Sequence, residues 1–153
     1  MATRNETYDG SGNLISLVDD RDINDVKVNK WNQINVFREV VLNRGLWYLG
    51  YLWNTDERSR QNITGVTAGI AAGIGLPPGF TWRDMNNNNV PFTTTNTVTL
   101  AGLTMAYVNM VYNASWEMKN EVDALTTVEE IDAYSIPDNA NWPNGDMDGS
   151  RPA

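Results

Sequence analysis

The sequence predicts a mainly helical α+β domain: three main helices with short β-hairpins between them, a short fourth helix and extended termini. Three observations lead there. Apolar residues recur at intervals of three and four over three long stretches. Aromatic, β-prone runs broken by Gly or Asn fill the gaps between those stretches. Both ends are rich in turn formers. A chain of 153 residues holds one core of the commonest domain size plus appendages. The expected layout is an extended N-terminal arm over residues 1–21, the helical α+β domain over 22–134 and an acidic, irregular C-terminal tail over 135–153.

In the arm, the turn formers Tyr8-Asp9-Gly10-Ser11-Gly12-Asn13 precede the β-prone run Leu14-Ile15-Ser16-Leu17-Val18. With no partner strand nearby, that run is expected to need another chain or the domain body to satisfy its backbone. From Asp22 to Arg44, Ile23, Val26, Trp31, Ile34, Phe37 and Val41 fall at helical spacing, with Val40 widening the stripe. Asp22 and Asp25 suit the start of such a helix, and Arg44 followed by Gly45 suits its end.

Leu46 to Trp53 is aromatic around a central Gly50 and reads as two short strands or one bent strand. Thr55 or Asp56 then caps a second helix from Glu57 to Ile74, whose stripe is Ile63, Val66, Ile70 and Ile74. Gly65, Gly69 and Gly73 recur inside it, which reads as a shallow groove where another helix or an aromatic ring lies close, as a partly irregular helix, or as chance in a chain where Gly is not rare. Phe80 to Thr93 reads as strand, Asn-rich loop, strand. A third helix is expected from Leu100 to Leu125 with Thr99 as its cap. Thr127 and Glu130 have capping-box spacing and open a short helix ending near Tyr134. Residues 138–153 have a linker composition, with Trp142 and Met147 as isolated apolar residues.

Composition excludes several chemistries. The chain has no Cys and no His, which removes thiolate nucleophiles, imidazole bases and most zinc sites. Its 11 Lys plus Arg stand against 19 Asp plus Glu, a net charge of -8. That balance provides no footprint for phosphate backbones, so nucleic acid is not an expected partner. No apolar run reaches the roughly 18 to 20 residues that cross a bilayer, and Met1 to Ser11 has no signal-like core. A membrane is not an expected partner either, and synthesis in a cytoplasm is expected.

The acidic clusters read blandly. Asp19-Asp20-Arg21-Asp22 lacks the ligand spacing of a calcium loop and suits a solvated helix start; Asp146-Met147-Asp148-Gly149-Ser150 lacks a closing Glu. No catalytic residue, metal site or cofactor is expected. The aromatic residues carry more information. Six Trp exceed what one small core usually needs, and Trp and Tyr favour surfaces that are half apolar and half wet, so a purely core role and a core-plus-interface role both stand open. Trp47, Tyr48, Tyr51, Trp53 and Trp142 are the expected partner-binding residues, and Thr55, Asp56, Thr127 and Glu130 the expected structural caps.

The order of features also resembles a known family. Arg44-Gly45, then Thr55-Asp56-x-x-Ser59-Arg60-Gln61-Asn62-Ile63-Thr64-Gly65, then Trp82-Arg83-Asp84-Met85-Asn86-Asn87-Asn88 come first. Thr99-Leu100, Trp116, Lys119 and Thr127-Val128-Glu129-Glu130-Ile131 follow. Together they resemble a domain of unknown function found in tailed-bacteriophage tail-fibre and fibre-assembly proteins, over residues 22–134.

The resemblance implies a non-catalytic virion structural protein, a tail-fibre or baseplate component or adaptor that binds other phage tail, baseplate or fibre proteins. A homo-oligomer is expected, with a trimer in keeping with fibre symmetry, located in the phage tail after synthesis in the host bacterial cytoplasm. The alternative is a tail-fibre assembly chaperone. A small carboxylate hydrolase is a distant third, resting only on the number of acids. The family brings no assigned site residues. The acidity is local: residues 120–153 hold eight acids and Arg151, whereas residues 1–119 hold 11 acids and 10 bases.

Overall fold

The computed structural model describes residues 4–153, with side chains described at 7–14 and 19–153. Residues 1–3 of the expected arm lie outside the described residues. Strands β1 (Arg4–Tyr8) and β2 (Leu14–Asp19) form an antiparallel hairpin. The run at 14–18, expected to lack a partner, thus finds one inside the arm. Its turn is set locally: the Asp9 carboxylate accepts from the Ser11 and Asn13 N–H groups at 2.8 and 2.9 Å.

Helix α1 spans Ile23–Leu42, with Asp22 accepting from the Asn24 N–H at 2.7 Å as its cap. Val26, Ile34, Val41 and Leu42 are buried, whereas Val40, expected to widen the stripe, is exposed. The chain then reverses through the hairpin of β3 (Leu46–Tyr48) and β4 (Tyr51–Trp53), whose turn residues Leu49 and Gly50 have φ of 55° and 74°. Two positive φ values in a two-residue turn match the twist of the flanking strands.

Helix α2 covers Glu57–Ala71, three residues short of the expected Ile74. Its end is a glycine stop. Gly73 has φ +86°, Gly73 N–H bonds Ile70 O at 3.0 Å and Ile74 N–H bonds Gly69 O at 2.9 Å. Asp56 occupies the N-cap position with no cap hydrogen bond from its side chain, and Thr55 serves another purpose described below. Strands β5 (Thr81–Arg83) and β6 (Asn89–Pro91) follow. Between them the buried Asp84 carboxylate accepts from the Asn86 and Asn88 N–H groups at 3.0 and 2.7 Å, and Asn87 takes φ 65°. This accounts for the Asn run.

Helix α3 runs from Thr94 to Asp123, starting six residues before the expected Leu100 and ending before the expected Leu125. The cap is Thr93, in a reciprocal box with Asn96, so Thr99 lies inside the helix. The Thr-rich first turns hid this start. Thr97 and Thr104 are buried core positions whose hydroxyls donate to Thr93 O and Leu100 O at 2.9 and 2.8 Å, so their polarity costs little. Helix α4 (Val128–Ala133) is capped by Thr127, which accepts from the Glu130 N–H at 3.1 Å, while the Glu130 carboxylate accepts from the Thr127 hydroxyl.

The two caps on α2 and α3 differ in a measurable way. Thr93→Ala is expected to destabilise the fold by about 1 kcal/mol through loss of the capping box. Asp56→Ala is expected to cost no more than about 0.5 kcal/mol, the size of an exposed charge acting on a helix dipole. Urea unfolding of the two variants checks the order; equal losses would contradict it.

Helix α3 is the centre of the fold, with α1 packed along one side and α2 along another. Its core stripe is Thr97, Leu100, Thr104, Tyr107, Val111, Ala114, Met118 and Val122. The Tyr107 hydroxyl donates to Val41 O at 2.6 Å, and burial raises its pKa above the ordinary phenol value. At the far end Tyr134 donates to Glu121, Asn139 donates to the Tyr134 oxygen at 3.0 Å and Asn141 to Glu121 at 2.9 Å. These bonds tie α3, the end of α4 and the C-terminal segment together.

Residues 135–153 carry turns and bends, yet they pack on the body as a strap, which corrects the reading of 138–153 as a linker or solvated tail. Trp142 is buried, its indole N–H donates to Ile136 O at 2.7 Å, and its ring lies 5.8 Å from that of Phe37. Further on, the Trp47 N–H donates to Gly145 O at 2.7 Å, Leu49 N–H to the Asp148 carboxylate at 3.0 Å and Gly50 N–H to Ser150 Oγ at 2.8 Å. The strap therefore covers the outer edge and turn of the β3–β4 hairpin.

Candidate functional site

The aromatic hairpin, the expected partner surface, is turned mostly inward by the fold. Tyr48, Trp53 and Trp142 are buried, so none of the three presents its ring to another protein. Trp53 donates its indole N–H to Tyr48 O at 2.8 Å and packs 4.8 Å from Phe92. Trp47 is half-buried, and its backbone N–H is taken by the strap. Among these five residues Tyr51 alone is exposed, at 37%. The cause is geometric: strand alternation and the covering strap leave the hairpin only one wet side.

Thr55 is fully buried and acts as a clip. Its hydroxyl donates to Leu42 O at 2.5 Å and accepts from the Gly45 N–H at 3.0 Å, joining the end of α1 to the strand that leaves it. The acidic cluster at 19–22 is also structural. Arg21 bonds the Asp19 carboxylate at 2.6 and 2.9 Å and reaches Asp132 of α4 at 2.6 Å, and these bonds raise its pKa further. Asp148 shows opposing effects: burial pushes its pKa up, but bonds from Ser150 and the Leu49 N–H outweigh it and hold the carboxyl below the ordinary range.

A titration follows from Asp148. Ser150 belongs to the strap itself, so the Leu49 N–H is the bond among these that crosses to the hairpin; it favours the ionised carboxylate, and ionisation therefore strengthens that docking contact. That contribution is complete above about pH 4, the ordinary aspartate range, and is lost as the pH falls through the lowered value. In proton–nitrogen spectra the Leu49 amide is expected to shift on acidification below that range, and Asp148→Asn to abolish the shift. A Leu49 amide that ignores both changes would contradict the bond.

The candidate functional site lies between α2 and α3. There an open groove of about 810 Å3 is bounded by Ile63, Thr67 and Ala71 on α2 and by Met105, Val108 and Trp116 on α3. Met105 is 74% exposed and Trp116 53% exposed. At one end Tyr112 and Trp116 pack 6.0 Å apart, and the Arg38 guanidinium sits 4.4 Å over the Tyr112 ring. Helix α2 lies shallowly on the body, with Ile63 its one buried residue. Neither Gly65 nor Gly69 has any atom within 4 Å of where a Cβ would stand. The groove is lined on α2 by Ile63, Thr67, Ala68 and Ala71 and not by the glycines, so the helix or ring expected close to Gly65, Gly69 and Gly73 is absent there.

Two sequence signals mark this face. First, α3 has two adjacent heptad stripes. The buried one starts at Thr97, and a second, one residue on, is Val98, Ala101, Met105, Val108, Tyr112 and Ser115. Helix α2 covers only part of the second. Second, residues 61–82 and 85–116 contain no Asp, Glu, Lys or Arg. Neither signal is an aromatic cluster; both are carried by small residues, Met and missing charge.

Residues 25–135 match the family described as Domain of unknown function (DUF4376). The chain belongs to that family. No curated protein and no solved structure matches it. The DUF4376 match opens inside α1 and closes just after α4, so it contains the three main helices, the Thr55 clip and the groove. The β1–β2 arm and the strap from residue 136 onward lie outside the matched stretch.

Proposed function

We propose that this DUF4376 chain is a non-catalytic structural component of a tailed bacteriophage, a tail-fibre or baseplate component or adaptor that holds other tail proteins. The observation that carries the binding role is the mainly apolar groove face, whose one charged lining residue is Arg60 and which leaves Met105 and Trp116 largely in water. Contiguous apolar surface of this kind, depleted in charge and carrying Met and Trp, is what assembly interfaces present. The resemblance of the Thr55 to Gly65 block and its neighbours to tail-fibre-associated domains supports the phage setting. The hairpin that first suggested a docking surface contributes Tyr51 and part of Trp47, and the groove replaces it as the principal face.

Mass spectrometry of purified particles, combined with cross-linking, tests this reading. The chain is expected in mature virions, cross-linked to a fibre or baseplate protein. Absence from mature virions, together with recovery on fibre protein before assembly, would replace the structural role with that of a fibre-assembly chaperone.

A further inference from the structure

We propose that Asn144 is a self-modification site: its side-chain amide closes onto the Gly145 nitrogen, loses ammonia and opens to aspartate or isoaspartate, and the isoaspartate form releases the strap from the β3–β4 hairpin. The inference concerns the strap alone and stands apart from the assignment to a phage tail.

Of the 20 Asn in the chain, Asn144 is the one followed by Gly. Ring closure needs the nitrogen of the next residue to reach the side-chain carbon, and a residue without Cβ hinders that approach least. Local structure adds three favourable features. Asn144 is exposed, so water and hydroxide reach it. Its Oδ1 accepts from the Asp146 N–H at 2.9 Å, which puts a donor on the oxygen that turns negative when the carbon is attacked. The Gly145 N–H makes no hydrogen bond among the described residues, so removing its proton breaks none. Asn109 and Asn113 differ in this respect, because they lie inside α3, where helix bonds hold the N–H groups that follow them.

Water is the sole co-reactant. Hydroxide takes the Gly145 amide proton, the nitrogen bonds Asn144 Cγ, and the Cγ–Nδ2 bond breaks. The departing nitrogen takes a proton from water, leaves as ammonia and regenerates hydroxide. Water then opens the five-membered ring at either carbonyl. Opening at Cγ gives aspartate with an ordinary backbone. Opening at the main-chain carbonyl routes the chain through the side-chain methylene and lengthens it by one carbon atom.

The inserted carbon falls where the strap has no slack. Gly145 O accepts from the Trp47 N–H at 2.7 Å, and a Cβ on Gly145 would stand 2.9 Å from Gly45 O, so this residue is pressed against the start of β3. Beyond it, Asp148 and Ser150 accept from the Leu49 and Gly50 N–H groups at 3.0 and 2.8 Å. A longer main chain between the Trp142 anchor and Gly145 moves all three acceptors out of register with their donors. Trp142 precedes the change and keeps its contact with Phe37. The product is a chain whose hairpin presents the Trp47, Leu49 and Gly50 N–H groups uncovered, the property that makes a strand edge adhesive.

Incubation of the full chain at mildly alkaline pH, followed by intact mass and peptide mapping over time, tests the modification. A gain of a single mass unit is expected at Asn144, faster than at any other Asn, with isoaspartate at that position detected by enzymatic methyl transfer. Asn144→Ser should remove the gain from that peptide. Hydrogen exchange then tests the release. The isoaspartate fraction should lose protection at the Trp47 and Leu49 amides, whereas Asn144→Asp, which adds the charge without the extra carbon, should keep it. No gain at Asn144, or one no faster than at other Asn, overturns the site. An isoaspartate fraction that keeps its protection overturns the release, as does an Asn144→Asp chain that loses it.

Discussion

Trp142→Ala is expected to remove about 3–5 kcal/mol of stability, the cost of deleting a large aromatic side chain from a packed core. Domains of this size have roughly 5–15 kcal/mol in all, so one change near the C-terminus would take a large share. The reason lies in what Trp142 touches. It is 8% exposed, its ring meets Phe37 of α1 at 5.8 Å, and its indole N–H reaches back to Ile136 O at 2.7 Å. Removing the ring opens a cavity over Phe37 and frees the strap that pairs with Trp47 and covers Leu49 and Gly50. Urea unfolding followed by far-ultraviolet circular dichroism measures the loss. A change below about 0.5 kcal/mol, the usual size for surface substitutions, would mean that the segment does not pack.

Thr55→Val is expected to cost about 2–5 kcal/mol although its shape is nearly unchanged. The substitution leaves two buried backbone groups without a partner, Leu42 O and Gly45 N–H, and each such group costs about 1–3 kcal/mol. The neighbourhood has no room to relax. Gly45 sits at φ +90°, and a Cβ there would stand 2.7 Å from Trp53 O, so the reversal from α1 into β3 is tightly packed. Thr55→Ser keeps the hydroxyl and loses one methyl group, for an expected cost of about 1 kcal/mol. Thermal unfolding of the pair separates the hydrogen bonds from the packing. Equal losses for Val and Ser would show that the clip contributes little.

Much of the fold was legible because it is written in local patterns. The α1 stripe, the Gly50-centred hairpin, the Asn run around Asp84 and the Thr127–Glu130 cap each depend on residues within a few positions of one another. The start of α3 was not legible, because Thr97 and Thr104 occupy core positions while reading as polar. Their hydroxyls bond the carbonyls four residues back, and an apolar pattern cannot register that. Thr55 was misassigned for a related reason: a Thr before a helix suits a cap, and only the approach of Leu42 O and Gly45 N–H gives its hydroxyl a different task.

The candidate site divides the same way. By itself the sequence determined that the chain has no thiol or imidazole chemistry and that its acidity is concentrated after residue 119. The choice of aromatic residues that meet water was made by the tertiary structure. Trp53 and Trp142 are buried by contacts with residues remote in sequence, the strap meeting Trp47 from Gly145. Met105 remains outside because α3 carries a second stripe beside its core stripe and α2 covers only part of it, and Trp116 lies at the open end of the same groove. The physical reason is that helical and strand periods fix which residues share a face, whereas burial of that face depends on what the rest of the chain lays across it.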